Sequence, residues 1–221
     1  MIRVIVFDFD GVIVRDSEFF KQEAWAAIFS IYDGKATEYF HEAEAKYGGG
    51  RDGDRYEILR HIFARLAEPG DRIPSLVKAG AAAFNAYVER KILEVGVEPS
   101  DRRVLEDLSK RYPLYINSAT PEKELKQTVA RLKLDCIFKG VFGYPSKKVE
   151  NLKLVQQSEN VKPQSILFVG DGERDYEAAR EFDCHFMGYA NDWNKWAGSE
   201  KQFALITNLR NVTTGVETIL Q

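Results

Sequence analysis

Carboxylates follow two apolar segments of the sequence, at positions that suit metal-assisted phosphoryl chemistry. Asp8 and Asp10 come directly after the apolar run Val4–Phe7, and Asp171 comes soon after a second run, Ser165–Val169. Both runs are rich in β-branched and aromatic residues, which predicts parallel strands that are buried on both faces of a sheet. Because ligands bind at the carboxyl ends of such strands, we expect these three carboxylates to converge.

Converging carboxylates repel one another, and an oxygen-seeking cation relieves that repulsion. Mg²⁺ fits because it takes one or two carboxylates together with water and a phosphate oxygen. With a cation bound, an aspartate can attack phosphorus and form an acyl-phosphate, and we assign that role to Asp8. Asp10 can protonate the leaving oxygen and later activate water as a base. Gly11 permits the tight turn that this arrangement needs.

Two further polar groups are expected around the phosphoryl group. Ser118 follows the apolar run Pro113–Asn117 and precedes a helical pattern, whose N-terminus favours anions, so it can hold a phosphoryl oxygen. A lysine is needed to offset the negative charge on the nucleophile and the phosphoryl group. Lys147 and Lys148 both lie at the start of a predicted helix, and their position leaves both open for this role.

The elements that position these groups alternate between strand and helix. Weaker strand patterns cover Cys136–Phe142, His185–Tyr189 and Phe203–Ile206, and helical patterns cover Asp101–Arg111, Pro121–Leu132, Lys148–Glu159 and Arg174–Phe182. Thr120 and Pro121 suit the N-cap and the first position of a helix. The alternation predicts an α/β fold with a doubly wound, Rossmann-like parallel sheet.

One long segment interrupts this alternation. Between about Ser17 and about Val95 the patterns are helical, and they cover Glu18–Ile31, Thr37–Tyr47, Asp54–Leu66 and Ser75–Leu93. A glycine-rich stretch at 48–53 predicts a loop between two of these helices. We therefore predict an all-helical domain of residues 17–96, inserted into an α/β core domain of residues 1–16 and 97–221.

Size and composition limit the class of protein. A chain of 221 residues with 44% hydrophobic residues is long enough for one large or two modest domains. The net charge of −3 gives no basic surface for nucleic acid or membrane, and no stretch approaches the roughly 20 apolar residues of a membrane span. Cys136 and Cys184 lack the spacing of a disulfide framework or zinc site. The expectation is a cytoplasmic protein without nucleic-acid or membrane partners, and the sequence carries no signal for its oligomeric state.

The motifs resemble those of the haloacid dehalogenase superfamily. The segment Asp8-Phe9-Asp10-Gly11-Val12 is similar to the first motif of that family, Ser118 to the second, Lys148 to the third, and the segment from Gly170 to Asp175 to the fourth. All four occur in the family's order. The predicted helical insert lies where members carry the first type of cap domain, and the chain is most similar to phosphoglycolate-phosphatase-like and β-phosphoglucomutase-like members.

The resemblance implies roles for the four aspartates. Asp8 would be the nucleophile and a metal ligand. Asp10 would be the general acid and base, and would bind the metal through its backbone carbonyl. Asp171 would be a further metal ligand, and Asp175 would support the metal shell or orient the lysine. The cofactor that these roles imply is Mg²⁺.

The resemblance also assigns the remaining site residues. The spacing Gly-x-Pro-x-x-Lys-x-Glu favours Lys148 over Lys147 as the lysine of the third motif. Ser118 and Ala119 would bind the phosphoryl group. Arg51 falls where relatives carry a substrate-specificity loop, so it could bind a second anionic group of the substrate.

The implied activity is that of a Mg²⁺-dependent phosphatase acting on a small phosphorylated metabolite. A phosphomutase is the first alternative, because it would use Asp8 and Asp10 and return the phosphoryl group to the substrate. A metal-free dehalogenase is disfavoured by Asp10 and by the Gly170–Asp171 pair.

A receiver domain of a two-component system shares the acidic cluster, but its acceptor aspartate follows a later strand. An inactive scaffold is disfavoured because no expected catalytic position is missing, and a dinucleotide site lacks the G-x-G-x-x-G turn.

Overall fold

The computed structural model describes residues 1–30, 34–47, 54–194, 196–197 and 202–219 of the chain. The chain divides into two compact units, one formed by Met1–Asp16 with Val95–Gln221, the other by Ser17–Glu94. The sequence predicts domain boundaries after residues 16 and 96, whereas the structure divides the chain after residues 16 and 94. The difference arises in a long helix that runs to Val95.

The strands and helices of the described residues have the following bounds, and five consecutive helices separate the first two strands. The strands are β1 (Val4–Phe7), β2 (Leu114–Pro121), β3 (Gly140–Tyr144), β4 (Ile166–Gly170), β5 (His185–Tyr189) and β6 (Ala204–Ile206). The helices are α1 (Ser17–Phe29), α2 (Lys35–Tyr47), α3 (Asp54–Arg65), α4 (Ile73–Val95), α5 (Pro99–Ser109), α6 (Glu122–Arg131), α7 (Lys148–Glu159), α8 (Glu173–Phe182) and α9 (Arg210–Ile219). Among the helices described, none is both long and apolar enough to cross a membrane.

The six strands of the first unit form one parallel sheet in the order β3-β2-β1-β4-β5-β6. Ile5 of β1 is in register with Leu114 of β2 on one side and with Leu167 of β4 on the other. The strand order reverses between β1 and β4, so their carboxyl ends flank the crevice where such sheets bind ligands. The predicted doubly wound α/β fold is confirmed.

The central strand is apolar because it is covered on both faces. All four residues of β1 are buried, at most 1% exposed. Val4 and Val6 pack in a cluster with Leu152 and Val155 of α7 and with residues of α8. Burying a side chain of this size typically contributes about 1.5–3 kcal/mol, so the sheet centre is a stable support for the residues that follow it.

The second unit consists of α1 to α4 around a separate apolar core. The buried residues of this core are Phe29, Ala36, Ala43, Ile58, Leu59, Ile62, Phe63, Val77 and Ala81. Trp25 stacks on Phe29 with ring centroids 5.6 Å apart. A side chain at Gly80 of α4 would begin 3.0 Å from the Leu59 side chain, so this glycine allows α3 and α4 to approach closely.

Several elements of the first unit differ from the sequence-based predictions, most clearly α6, β3 and α9. Helix α6 begins at Glu122, not Pro121, because β2 continues to Pro121, which is in register with Tyr144 after a shift in pairing. Strand β3 begins at Gly140, not Cys136, because the backbone N–H groups of Ile137 and Phe138 donate to Leu134 O and form a turn. Helix α9 was not predicted.

Candidate active site

Asp8 lies at the carboxyl end of the central strand. Its backbone N–H donates to Val169 O at 2.8 Å, which extends the pairing with β4 by one residue beyond the strand. The side chain is buried, and its Oδ1 accepts a hydrogen bond of 2.7 Å from Phe9 N. Its Oδ2 is 2.9 Å from Lys148 Nζ. The sheet therefore presents a fixed carboxylate beside an ammonium group.

Lys148 joins Asp8 to Asp175. Lys148 is the first residue of α7, and its Nζ lies 2.5 Å from Asp175 Oδ1. The other oxygen of Asp175 accepts a hydrogen bond of 3.0 Å from Gly172 N at the start of α8, where a carboxylate is favoured. Lys147, by contrast, is exposed at the N-cap of α7, where its backbone N–H donates to the Glu150 side chain. The structure thus brings Lys148 to the candidate nucleophile and leaves Lys147 at the surface.

Three carboxylates meet at this point. Asp8, Asp171 and Asp175 each offer an oxygen, and these oxygens all lie within 4.8 Å of one another. They follow β1 and β4, the strands that flank the switch point, although Asp8 and Asp171 are far apart in sequence. A set made of carboxylate oxygens fits a hard cation such as Mg²⁺ and does not fit a soft metal.

The electrostatics of the group centre on Asp8. Burial raises the pKa of the Asp8 carboxyl well above its ordinary value, and the charges of Asp175, Asp171 and Asp10 raise it further, against the opposing effect of Lys148. Burial works against a charge on Lys148 as well, but Asp175 and Asp8 outweigh it and raise the pKa of the ammonium group. The protonated form of Lys148 is therefore favoured, while the ionised form of Asp8 is disfavoured.

Asp10 contacts the end of β2 through Thr120. The Thr120 hydroxyl donates to Asp10 Oδ2 at 2.8 Å, and Thr120 N donates to Ser118 Oγ at 3.1 Å. Ser118 is buried at the end of β2, and Ala119 beside it is half-buried. The structure therefore brings the candidate acid/base and the candidate phosphate-binding hydroxyl to one edge of the sheet, with Thr120 between them.

The turn after β1 requires glycine at position 11. Gly11 has a φ of 72°, a conformation that side chains disfavour, and a Cβ there would collide with the Asp171 carboxylate. The turn closes through Gly11 N donating to Val14 O at 3.0 Å. Gly11 thus lets the loops after β1 and β4 approach each other.

Two buried asparagines support the lysine, and the sequence analysis gave neither a role. Asn117 Nδ2 donates to Lys148 O at 2.9 Å, and Asn151 Nδ2 donates to Asn117 Oδ1 at 2.9 Å. Both side chains are fully buried, so their polar groups need these partners. The bonds join β2 to the first turn of α7. A polar residue that closes an apolar strand pattern is the signal that could have identified Asn117.

A third asparagine, Asn191, contacts Asp171. Its Nδ2 donates to Asp171 Oδ2 at 2.6 Å from the loop after β5. The sequence gives no sign of a function for this loop, because an asparagine outside a motif has no distinctive pattern. Arg51, the residue expected to bind a second anionic group, lies outside the described residues.

A curated relative and several solved structures are similar to this chain. Phosphoglycolate phosphatase from Pseudomonas putida is 28% identical over 167 residues, which is 72% of this chain. The match spans 61% of the length of that relative.

The similarity to solved structures extends over nearly the whole chain. A predicted phosphoglycolate phosphatase from Haemophilus somnus has a TM-score of 0.72 and 17% identity, with 96% of this chain and 97% of that one covered. L-2-haloacid dehalogenase from Xanthobacter autotrophicus has a TM-score of 0.67 and 20% identity, with 98% and 99% covered. β-Phosphoglucomutase from Clostridium difficile has a TM-score of 0.66 and 18% identity, with 100% of both chains covered. At these identities the similarity establishes the fold alone.

A family model decides the classification. The model described as a haloacid dehalogenase-like hydrolase matches residues 2–183, which is most of the chain. The matched range includes the four strands β1 to β4 and every carboxylate of the cluster. The chain therefore belongs to the haloacid dehalogenase-like hydrolase family.

Proposed function

We propose that this chain is a Mg²⁺-dependent phosphatase that hydrolyses a small phosphomonoester through an aspartyl-phosphate intermediate. The observation that carries the proposal is the buried Asp8 carboxylate, 2.9 Å from Lys148 Nζ and grouped with Asp171 and Asp175. Membership of a hydrolase family supports hydrolysis. The name of the Pseudomonas putida relative, phosphoglycolate phosphatase, supports a phosphate ester as the substrate.

The first step transfers the phosphoryl group to the protein. An Asp8 oxygen attacks phosphorus and forms a P–O bond, while the bond from phosphorus to the ester oxygen breaks in line with the attack. Asp10 gives its proton to the leaving oxygen, so the product is an alcohol. Thr120 bonds to both Asp10 and Ser118, which supports a role for Ser118 as donor to a phosphoryl oxygen near Asp10.

The second step returns the protein to its starting state. Asp10, now ionised, takes a proton from water as the water oxygen attacks phosphorus. The bond from phosphorus to the Asp8 oxygen breaks, phosphate leaves, and both carboxyl groups regain their initial protonation. Lys148 stays close to Asp8 in this arrangement, so its charge offsets the negative charge that grows on the transferring group.

The residues that would hold the cation are Asp8, Asp171 and Asp175. When bound, Mg²⁺ supplies positive charge that offsets both the carboxylates and the phosphoryl oxygens. The raised pKa of Asp8 supports this part of the proposal, since a buried nucleophile surrounded by like charges needs such compensation to ionise.

The substrate class in this proposal is a small phosphorylated metabolite, such as phosphoglycolate, a sugar phosphate or a nucleotide. The test is a phosphate-release screen over a panel of these esters with Mg²⁺, comparing the wild type with Asp8→Asn. We expect free phosphate from at least one ester, and a loss of roughly 10³-fold or more in the variant, because the nucleophile is removed. Asp107→Asn is the matched control, since Asp107 is a largely exposed aspartate. Undiminished release by Asp8→Asn would remove Asp8 as nucleophile.

The same assay separates the proposal from its alternatives. Incubation with β-glucose 1-phosphate and a glucose bisphosphate should not isomerise the sugar phosphate. Isomerised sugar phosphate without free phosphate would identify a phosphomutase. Halide release from a haloacid in the presence of EDTA would identify a metal-free dehalogenase.

A further inference from the structure

The loop that follows β5 holds Asp171 through two asparagine side chains. Asn191 Nδ2 donates to Asp171 Oδ2 at 2.6 Å and to Gly11 O at 3.4 Å. Asn194 Nδ2 donates to Asp171 O at 2.9 Å and to Tyr189 O at 2.7 Å. The same loop therefore fixes Asp171 at its carboxylate and at its backbone carbonyl.

Both amide groups have a fixed orientation. Asn191 Oδ1 accepts hydrogen bonds of 3.0 Å from the backbone N–H groups of Trp193 and Asn194. Asn194 Oδ1 accepts from Asn191 N at 3.2 Å and from Trp196 N at 3.0 Å. Flipping the Asn191 amide would turn its oxygen towards the Asp171 carboxylate and its NH₂ group towards backbone donors, so the network defines which end faces Asp171.

Asn191 also joins the loops that follow the two central strands. Gly11 follows β1 and Asp171 follows β4, and the amide of Asn191 donates to both. These loops are already in close contact, because a side chain at Gly11 would collide with Asp171. The Asn191 amide therefore fixes the Asp171 carboxylate relative to the loop that carries Asp8 and Asp10.

We propose that Asn191 is a positioning residue that sets the carboxylate orientation in which Asp171 binds the cation. This inference rests on the proposed function, which supplies the Mg²⁺. A neutral amide suits the position because it orients an ionised carboxylate without adding negative charge to Asp8, Asp171 and Asp175. Removing such a partner of a metal ligand typically weakens metal binding by roughly 10- to 100-fold.

The test is calorimetric titration of the full-length chain with Mg²⁺ alone. In Asn191→Ser the hydroxyl can still accept from the loop backbone but is too short to reach Asp171. We expect the Kd for Mg²⁺ to rise by roughly 10- to 100-fold. Phosphatase activity should recover as the Mg²⁺ concentration is raised by the same factor, with kcat close to that of the wild type. Asn211→Ser, at an exposed position of α9, is the matched control and should leave the Kd unchanged.

The possible results separate this inference from the proposed function. A folded Asn191→Ser whose Kd changes by less than about twofold, or whose activity excess Mg²⁺ does not restore, contradicts the positioning role. A wild type that gives no binding heat contradicts the cation of the proposed function, and the inference fails with it.

A second measurement uses the wild type and does not depend on a variant that folds. The side-chain NH₂ resonances of Asn191 should shift during a Mg²⁺ titration followed by NMR, because the carboxylate that accepts its hydrogen bond changes charge distribution on binding the cation. The midpoint should equal the calorimetric Kd. Resonances that stay in place while Mg²⁺ binds would overturn the inference.

Discussion

At the scale of single residues, burial opposes the charges of both Asp8 and Lys148, and the neighbouring charges compensate fully only for Lys148. Asp8 is buried and the Lys148 side chain is largely buried, and burial opposes a charge on each. Lys148 has two carboxylates within 2.9 Å, so its positive charge is retained. Asp8 has one ammonium group and several like charges nearby, so its negative charge is disfavoured. In the proposed mechanism, Asp8 would therefore rely on Lys148 and on the proposed cation for its ionised form.

The two adjacent lysines provide a matched pair of variants. Lys148→Ala is expected to lower phosphatase activity by roughly 10²- to 10³-fold, because it removes the positive charge next to Asp8. Lys147→Ala should keep nearly full activity, since that side chain is exposed at the N-cap of α7. Steady-state kinetics at saturating Mg²⁺ measures both, with circular dichroism to verify folding. The reverse ranking would transfer the catalytic role to Lys147.

The raised pKa of Asp8 predicts how stability depends on pH. In the folded chain Asp8 keeps its proton above the ordinary value of 3.8, whereas in the unfolded chain it loses the proton there. The unfolded state therefore binds fewer protons, and the free energy of unfolding falls as pH rises from about 4 towards the folded pKa. Asp8→Asn removes this contribution.

Chemical denaturation with EDTA present, from pH 4 to pH 7, measures the effect. The difference between Asp8→Asn and the wild type should grow with pH in favour of the variant. A difference that stays constant over this range would show that the pKa of Asp8 is the same in both states.

At the scale of elements, the site is built where strands end and helices begin. Asp8 ends the β1 ladder, Ser118 lies near the end of β2, and Asp175 lies in the first turn of α8. The N-terminus of α8 holds one oxygen of Asp175, while Lys148, at the start of α7, holds the other. The strand-to-helix turns therefore place charged groups at one edge of the sheet. These turns are closely packed and leave little room for larger side chains.

A substitution at Gly170 tests how closely the turn after β4 is packed. A Cβ at this position would collide with the Asp175 side chain, so Gly170→Ala has to displace it from Lys148. Overpacking of this kind typically costs about 1–3 kcal/mol of stability. Moving a group of the site should also reduce activity by roughly 10²-fold.

The measurements are thermal unfolding and phosphate release. Gly70→Ala is the control, because no described atom lies within 4 Å of the position a Cβ would take there. The control should stay within about 0.5 kcal/mol of the wild type. Wild-type stability and activity in Gly170→Ala would show that Asp175 has room to move without consequence.

At the scale of the whole molecule, the proposed cation would couple its binding to folding. Asp8 meets Asp171 and Asp175 only in the folded chain, since it lies far from both of them in the sequence. A cation that binds them together therefore binds the folded state in preference to the unfolded state. Binding should stabilise the unit formed by Met1–Asp16 with Val95–Gln221.

This coupling gives a prediction for metal removal. At a Mg²⁺ concentration 100 times the Kd, stabilisation should reach about 2.7 kcal/mol, which corresponds to a rise in Tm of roughly 5 to 11 °C. EDTA should reverse the rise and abolish phosphate release. Differential scanning calorimetry in NaCl of matched ionic strength separates specific binding from screening. An equal rise in NaCl would remove the specific cation site.

Local sequence patterns are sufficient to predict the α/β class and the order in which the motif residues occur. Apolar runs such as Val4–Phe7 are local patterns, and they predict buried strands because a parallel sheet covered on both faces requires continuous apolar residues. The general rule that ligands bind at carboxyl strand ends then selected Asp8, Asp10 and Asp171. The local pattern was weaker at β3, where a turn replaced the expected first residues of the strand.

Which polar groups meet follows from tertiary packing and could not be predicted from local patterns. The sequence places Lys147 and Lys148 side by side, and the direction of α7 relative to β1 brings one of them to Asp8. Asn117, Asn151 and Asn191 carry no motif, because an asparagine acquires its role from the donors and acceptors that packing brings within about 3 Å. Strand order and helix packing are non-local properties, so contacts between residues as distant as Asp171 and Asn191 follow from the folded sheet.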